Sequence, residues 1–282
     1  MSLPIHATAL ERVSYYGLRL FSALVLFFLI IPILVIIPLS FNAEPFFTFT
    51  EGMLRLEPEA YSLRWYRNIW ESQEWMLSIK NSMIIGVCAT LLAMTLGTLA
   101  ALGLSQRHMP FKGAIMGLLI SPMIVPVIIS AASMYFFFTK VNLAQTYLGV
   151  IMAHAVLGIP FVIITVTATL VGFDDNLTKA SASLGANPRT TFFKVTFPLI
   201  RPGVISGALF AFATSFDEVV VVLFVAGTDQ RTIPREMWAG MREQLSPTIL
   251  AVATLLIVLS VMLLLTVELL RRRSDRIRGV TE

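Results

Sequence analysis

Charge is what this chain has least of. Only 13% of its 282 residues are Asp, Glu, Lys or Arg, roughly half the ~25% of an average soluble domain. That is too little polar surface to cover 56% hydrophobic residues in water, so the chain needs lipid as a second solvent. Cysteine is nearly absent. The single Cys88 excludes an intramolecular disulfide and any cysteine-built metal motif, and its apolar setting reads as that of a small buried residue. Histidines number three, and no set of His, Cys, Asp and Glu has metal-ligand spacing. A GxxxxGK[ST] loop is missing, so ATP is not bound by that means and energy must come from an ion gradient or a partner. Ser206, in the run GVISG from Gly203 to Gly207, lacks the GxSxG spacing, and no nucleophile and base converge as a membrane enzyme requires.

What is present is long apolar runs. A mean hydropathy of +0.80 is spread along the whole chain, which reads as one polytopic transmembrane domain over residues 1–282. Six runs, 20–39, 83–104, 113–138, 148–171, 202–225 and 250–269, are each long enough for a hydrocarbon layer of ~30 Å. With every backbone group needing an internal partner there, the expectation is an all-α integral membrane protein of six transmembrane helices. The first run is too long for a signal core and lacks a small-x-small cleavage site, so it reads as an uncleaved span. A pI near 9.4 reports orientation rather than nucleic-acid binding. Arg12, Arg19, Arg107, Lys112, Lys179, Arg189, Lys194, Arg201, Arg271, Arg272, Arg273, Arg276 and Arg278 fall on one side. Glu44, Glu51, Glu57, Glu59, Glu71 and Glu74 fall on the other, and the positive-inside rule places both termini in the cytoplasm.

Aromatics from Tyr61 to Trp75 recur near helical spacing, as in a helix lying at the membrane interface or a dock for an external partner. Pro234 opens a short helix carrying Trp238 and Met241. Gly113 with Gly117, and Gly203 with Gly207, form two GxxxG pairs that allow helix backbones to approach closely. Pro122, Pro126 and Pro160 remove helix hydrogen bonds and fit either bent helices around a passage or simple packing kinks. Asp217 and Glu218 stand out in the fifth run, ~22 Å along the helix from Pro202 at ~1.5 Å per residue. Ionised acids at that depth cost ~2.5–3.5 kcal/mol, so they face the bundle interior, water or a cation. Thr214 shares their helical face and is placed to reach one carboxylate. Cation recognition and a buried structural pair both fit, and His154 reads as a hydrogen-bonded core residue.

Between the fourth and fifth runs lies Gly172 to Gly203, longer than a bundle connection needs. Asp175 or Asn176 caps a short helix there, Leu177, Ala180, Ala182 and Leu184 give it apolar surface, and Gly185 stops it. Such a helix has little core of its own and wants a partner.

At Lys179-Ala180-Ser181, Ser183-Leu184-Gly185-Ala186 and Phe197-Pro198 the chain resembles the permease subunits of binding-protein-dependent ABC importers, with Lys179 where that family usually has Glu and Ser181 where it has Ala. Ser40-Phe41-Asn42, Trp65-Tyr66, His154 with Pro160-Phe161, Ser215 to Val221 and Ser246-Pro247 resemble its spermidine/putrescine subgroup most. The resemblance implies a type I ABC importer permease architecture in a bacterial inner membrane. It implies a second similar permease as heterodimer partner, two ATP-binding subunits and a periplasmic solute-binding protein. No cofactor is expected on this chain, with ATP and Mg held by the ATPases, and no nucleic acid is involved. The loop residues Lys179, Ala180, Ser181, Leu184, Gly185, Ala186 and Asn187 would dock the ATPase. Asp217, Glu218 and Thr214, with Phe216 and Tyr135 as rings, would line a path for a small organic cation. Related subgroups carry zwitterionic or anionic solutes, and an ion-coupled secondary transporter is the rival from another class.

Overall fold

The computed structural model describes residues 8–106, 108–243 and 246–277, and no strand element occurs among them. Arg107 and Arg278, two of the basic residues invoked for orientation, lie outside the described residues. The helices are α1 (Ala9–Leu39), α2 (Glu51–Leu54), α3 (Arg64–Glu71), α4 (Gln73–Ser105), α5 (Lys112–Ile124), α6 (Val127–Lys140) and α7 (Tyr147–Val171). They continue with α8 (Asp175–Ser183), α9 (Pro188–Thr191), a π-helical turn (Phe192–Thr196), α10 (Phe197–Phe216), α11 (Val220–Val225), α12 (Ile233–Glu243) and α13 (Thr248–Ile277). Two compact units result, Met1–Ser72 with Gly240–Glu282, and Gln73–Ala239.

In the first unit, α1 starts on a capping box in which Thr8 Oγ1 accepts from Glu11 N–H and Glu11 returns the bond to Thr8 N–H. Its apolar side chains from Leu18 to Val35 are exposed, so lipid or another protein must cover them. The turn after α1 is organised by Asn42, whose side chain donates to the Phe46 and Thr48 carbonyls at 3.1 Å each and whose own carbonyl accepts from Trp65 Nε1–H at 2.7 Å. The helix expected across Tyr61 to Trp75 is only α3. It buries Trp65 and Ile69 and leaves Trp70 exposed, while Trp75 belongs to α4.

The second unit is built on α4, α7 and α10. Lipid is as apolar as leucine, so close packing rather than escape from water holds such helices together, and small residues decide where. A Cβ on Gly203 would lie 2.2 Å from Thr169 Oγ1, one on Gly207 2.7 Å from Val162 Cα, and one on Gly97 2.7 Å from Val162 Cβ. The second GxxxG pair is therefore a true helix contact, whereas Gly113 and Gly117 have nothing within 4 Å. Ala89, Ala93, Ala155, Val162, Val166, Ile200, Val204 and Ala211 complete this tight cluster. A separate cluster of Ile85, Ala131, Phe138, Val150, Ala153, Leu157, Val221, Val222 and Val225 joins α11 to α4, α6 and α7.

Four helical stretches are long and apolar enough to cross a membrane: α1, α4, α7 and the continuous run Pro188–Phe216. Two expected spans are not single helices. Residues 113–138 divide into α5 and α6, with a bend of 103° between them. Proline disfavours the helical region for its predecessor, and Val125, before Pro126, is extended at φ −71°, ψ 133°. Pro122 and Pro160 sit inside continuous helices. The run 202–225 stops at Phe216 and resumes at Val220. In the sixth run the shorter apolar stretch Thr248–Met262 falls within α13.

Candidate functional site

Asp217 and Glu218 are not side chains on an unbroken helix, as the sequence predicts; they are the break itself. The last helical bond of α10 runs from Asp217 N–H to the Ala213 carbonyl at 3.1 Å. Glu218 Oε1 then accepts from Val221 N–H at 2.9 Å, which satisfies one of the orphan donors at the start of α11. No proline or glycine stands between Ala213 and Val220, so side chains rather than a breaker residue hold the chain open there. Asp217 is exposed and Glu218 half-buried. No ion pair engages either acid among the described residues. The break lies between the two apolar clusters, with α10 packed into one and α11 into the other.

The other expected residues divide. Phe216 stacks on Phe212, centroids 5.5 Å apart, and the Phe212 ring lies over Gly86. Tyr135 packs against the cluster that holds α11. Thr214 is half-buried, but no hydrogen bond joins it to either carboxylate, so its expected contact is absent. The neighbour that does matter is Ser215, whose Oγ lies 2.8 Å from His154 Nδ1 on α7. His154 is thus a hydrogen-bonded core residue, 1% exposed. Its Nε2 has no partner among the described residues.

Sequence reasoning passed over the residues that fix the segment after α11. Asn81, fully buried on α4, donates to the Asp229 and Arg231 carbonyls at 2.8 Å each and accepts from the Tyr147 hydroxyl at 2.8 Å. Ser82 Oγ accepts from Ile233 N–H at 2.8 Å, where α12 begins. Gly227 N–H donates to Gln230 Oε1, and Arg235 donates to the Ala226 and Gly227 carbonyls. Partial burial, then the Arg231 charge, lowers the Arg235 pKa, with Glu236 acting in the opposite direction. The one available signal was a polar pair, Asn81-Ser82, just before a long apolar run.

The loop after α7 also has definite local structure. Asp174, rather than Asp175 or Asn176, caps α8, its carboxylate accepting from Asn176 N–H at 2.9 Å. Gly185 ends the helix at φ +82°, with Gly185 N–H to Ala182 O (2.9 Å) and Ala186 N–H to Ser181 O (3.1 Å), a Schellman closure. Asn187 then caps α9 by accepting from Thr190 N–H, and Ser181 Oγ meets Thr191 Oγ1 at 2.9 Å, tying α8 to α9. Lys179, Ala180 and Leu184 are left exposed, Leu184 by 88%. A π turn follows because Pro198 cannot donate to the Lys194 carbonyl and its ring crowds it; Phe197 N–H bonds Phe192 O instead.

Residues 93–276 match the family described as binding-protein-dependent transport system inner membrane component. The spermidine/putrescine transport system permease protein PotC of Haemophilus influenzae is 30% identical over 248 residues, 88% of this chain and 93% of that protein. The putrescine transport system permease protein PotI of Escherichia coli strain K12 is 30% identical over 238 residues, 82% of each. A chain from the crystal structure of a bacterial ABC transporter involved in the import of the acidic polysaccharide alginate superposes with a TM-score of 0.72 at 12% identity, covering 96% of this chain and 99% of that one. At that identity the likeness speaks for the fold alone.

Proposed function

Because this chain belongs to the binding-protein-dependent transport system inner membrane components, we propose that it is one of two permease subunits of an ATP-driven importer, carrying a small organic cation of the polyamine class. The observation that carries the substrate class is the pair Asp217 and Glu218. These are adjacent carboxylates without an ion-pair partner among the described residues, held where an otherwise apolar helix lets go. Acids in that setting need a cation, and an amine-rich solute supplies several. Phe216 and Tyr135 offer rings for cation contact and Thr214 a hydroxyl. The 30% identity to putrescine and spermidine permeases over most of the chain supports the same solute class.

Six crossings follow if α5 with α6, and α10 with α11, each make one passage and α13 makes the last, all within one transmembrane domain. Both termini are then cytoplasmic, and the segment Gly172 to Arg201, carrying Lys179, Arg189, Lys194 and Arg201, is the cytoplasmic coupling loop. Lys179, Ala180, Ser181, Leu184, Gly185, Ala186 and Asn187 form its docking face for one ATPase subunit. ATP and Mg act on the two ATPases, and this chain needs no cofactor of its own. A second permease completes the conduit, and a periplasmic binding protein delivers solute.

ATP-dependent uptake of radiolabelled putrescine and spermidine into proteoliposomes holding both permeases and both ATPases, with binding protein supplied, tests this reading. Asp217→Asn with Glu218→Gln lowers uptake by about tenfold, the factor of ~1.4 kcal/mol of lost cation contact. Unaltered uptake in that double variant removes the acids from the path. Uptake driven by an ion gradient without ATPases overturns the importer reading. An anionic or zwitterionic ligand on the binding protein, measured by calorimetry, overturns the polyamine reading.

A further inference from the structure

The break between α10 and α11 has no residue that forces it. Ala213-Thr214-Ser215-Phe216-Asp217-Glu218-Val219-Val220 contains neither proline nor glycine, and sharp helix breaks otherwise have such a cause or an inserted side chain. Two polar contacts flank Asp217 instead. Ahead of it, Ser215 Oγ and His154 Nδ1 share a hydrogen bond of 2.8 Å; behind it, Glu218 Oε1 accepts from Val221 N–H. A serine inside a helix ordinarily bonds back to a carbonyl one turn earlier, but Ser215 is turned across to α7. His154 shares α7 with the buried apolar residues Val150, Ala153 and Leu157 and is itself buried, where an apolar side chain would carry no polar atom to satisfy. The bond to Ser215 is the only hydrogen bond of its ring among the described residues, because Nε2 has no partner there.

We propose that His154 is a positioning residue: through Ser215 it fixes the last turn of α10, so that the helical ladder ends on Asp217 as its cap and leaves Glu218 outside it. Without this contact the chain can close α10 into α11, which turns Asp217 about the helix axis and removes Glu218 from Val221 N–H. The consequence for transport rests on the reading that the acids meet the solute; the effect on the backbone does not.

Two measurements on the assembled transporter separate these parts. Spin labels are placed at Leu148→Cys on α7 and Leu223→Cys on α11, both exposed sites, in a Cys88→Ser background. Ser215→Ala and His154→Leu each change the label distance distribution, and His154→Asn, which keeps a polar atom near Nδ1, restores it. An unchanged distribution in both variants overturns the proposal. In uptake assays the same two variants raise the half-saturating solute concentration about fivefold, the factor expected for one neutral hydrogen bond. Maximal rate and membrane yield are kept, and the double variant is no worse than either single. If neutralising the acids reduces uptake but His154→Leu leaves half-saturation unmoved, positioning is overturned. If neutralising the acids does nothing, the solute reading falls by itself and the label distances alone decide the role of His154.

Discussion

The middle and the end of α10 are built by opposite means. Its middle, at Gly203 and Gly207, meets α7 so closely that even a methyl would strike Thr169, Thr165 or Val162. Its end, at Ser215 to Glu218, is held by two polar contacts and lets the helix stop without any breaker. The seam is set by atoms that are missing and the break by atoms that are charged or polar. Seam residues therefore answer to volume and break residues to hydrogen-bonding capacity, and substitutions sort the two cleanly.

The largest effect belongs to the seam. Gly207→Leu drives a side chain into Val162 and Thr165, a strain of about 3 kcal/mol that lowers the unfolding temperature and the membrane yield. Gly117→Leu, with open space around it, changes stability by less than ~0.5 kcal/mol. Thermal unfolding in detergent compares the two, and equal losses would break the distinction drawn from the close approach. Next comes Asn81→Ala. It strips the Arg231 carbonyl of its partner and leaves the Asp229 carbonyl and the Tyr147 hydroxyl only each other, costing about 2 kcal/mol. Faster hydrogen exchange at residues 227–233 locates that loss.

Gly185→Val sharpens the comparison from a third position, where neither volume nor a polar partner matters. No atom lies within 4 Å of the added Cβ, so the cost is only the positive φ, about 1–2 kcal/mol for a non-glycine residue. The Schellman closure opens, Leu184 loses its fixed direction, and ATP hydrolysis proceeds without matching uptake. Coupled uptake at the normal ratio would show that the loop does not carry the ATPase motion.

How far these regions could be read in advance follows from how local their causes are. Helices α1, α4 and α7 each carry an apolar run longer than any soluble core needs, and Gly185 acts on its own backbone; both were visible in the letters. The bend at Pro126 was half visible, since the proline was plain but the 103° that its neighbour Val125 produces was not. Two identical GxxxG patterns differ only in what stands opposite, and that is tertiary. Likewise nothing adjacent to Asp217 announces a break, because the bond that helps hold it joins Ser215 to His154, sixty-one residues earlier in sequence. Asn81 works through backbone carbonyls of a distant segment and Asn42 through those four and six residues on, and neither kind of acceptor carries a side-chain signature.

The smallest expected effect is the most discriminating. Glu218 has two roles at once, a cap for Val221 N–H and, in the proposed path, a charge for the solute. Glu218→Ala removes both and costs about 1 kcal/mol of stability, as loss of an N-cap does. Glu218→Gln keeps an oxygen that accepts from Val221 N–H, so stability changes by less than ~0.5 kcal/mol while the charge is gone. Reduced uptake in a Gln variant that unfolds like the native protein assigns the charge to the solute. If only Ala lowers uptake, and in proportion to its lost stability, Glu218 is a structural cap and the cation contact rests on Asp217 alone.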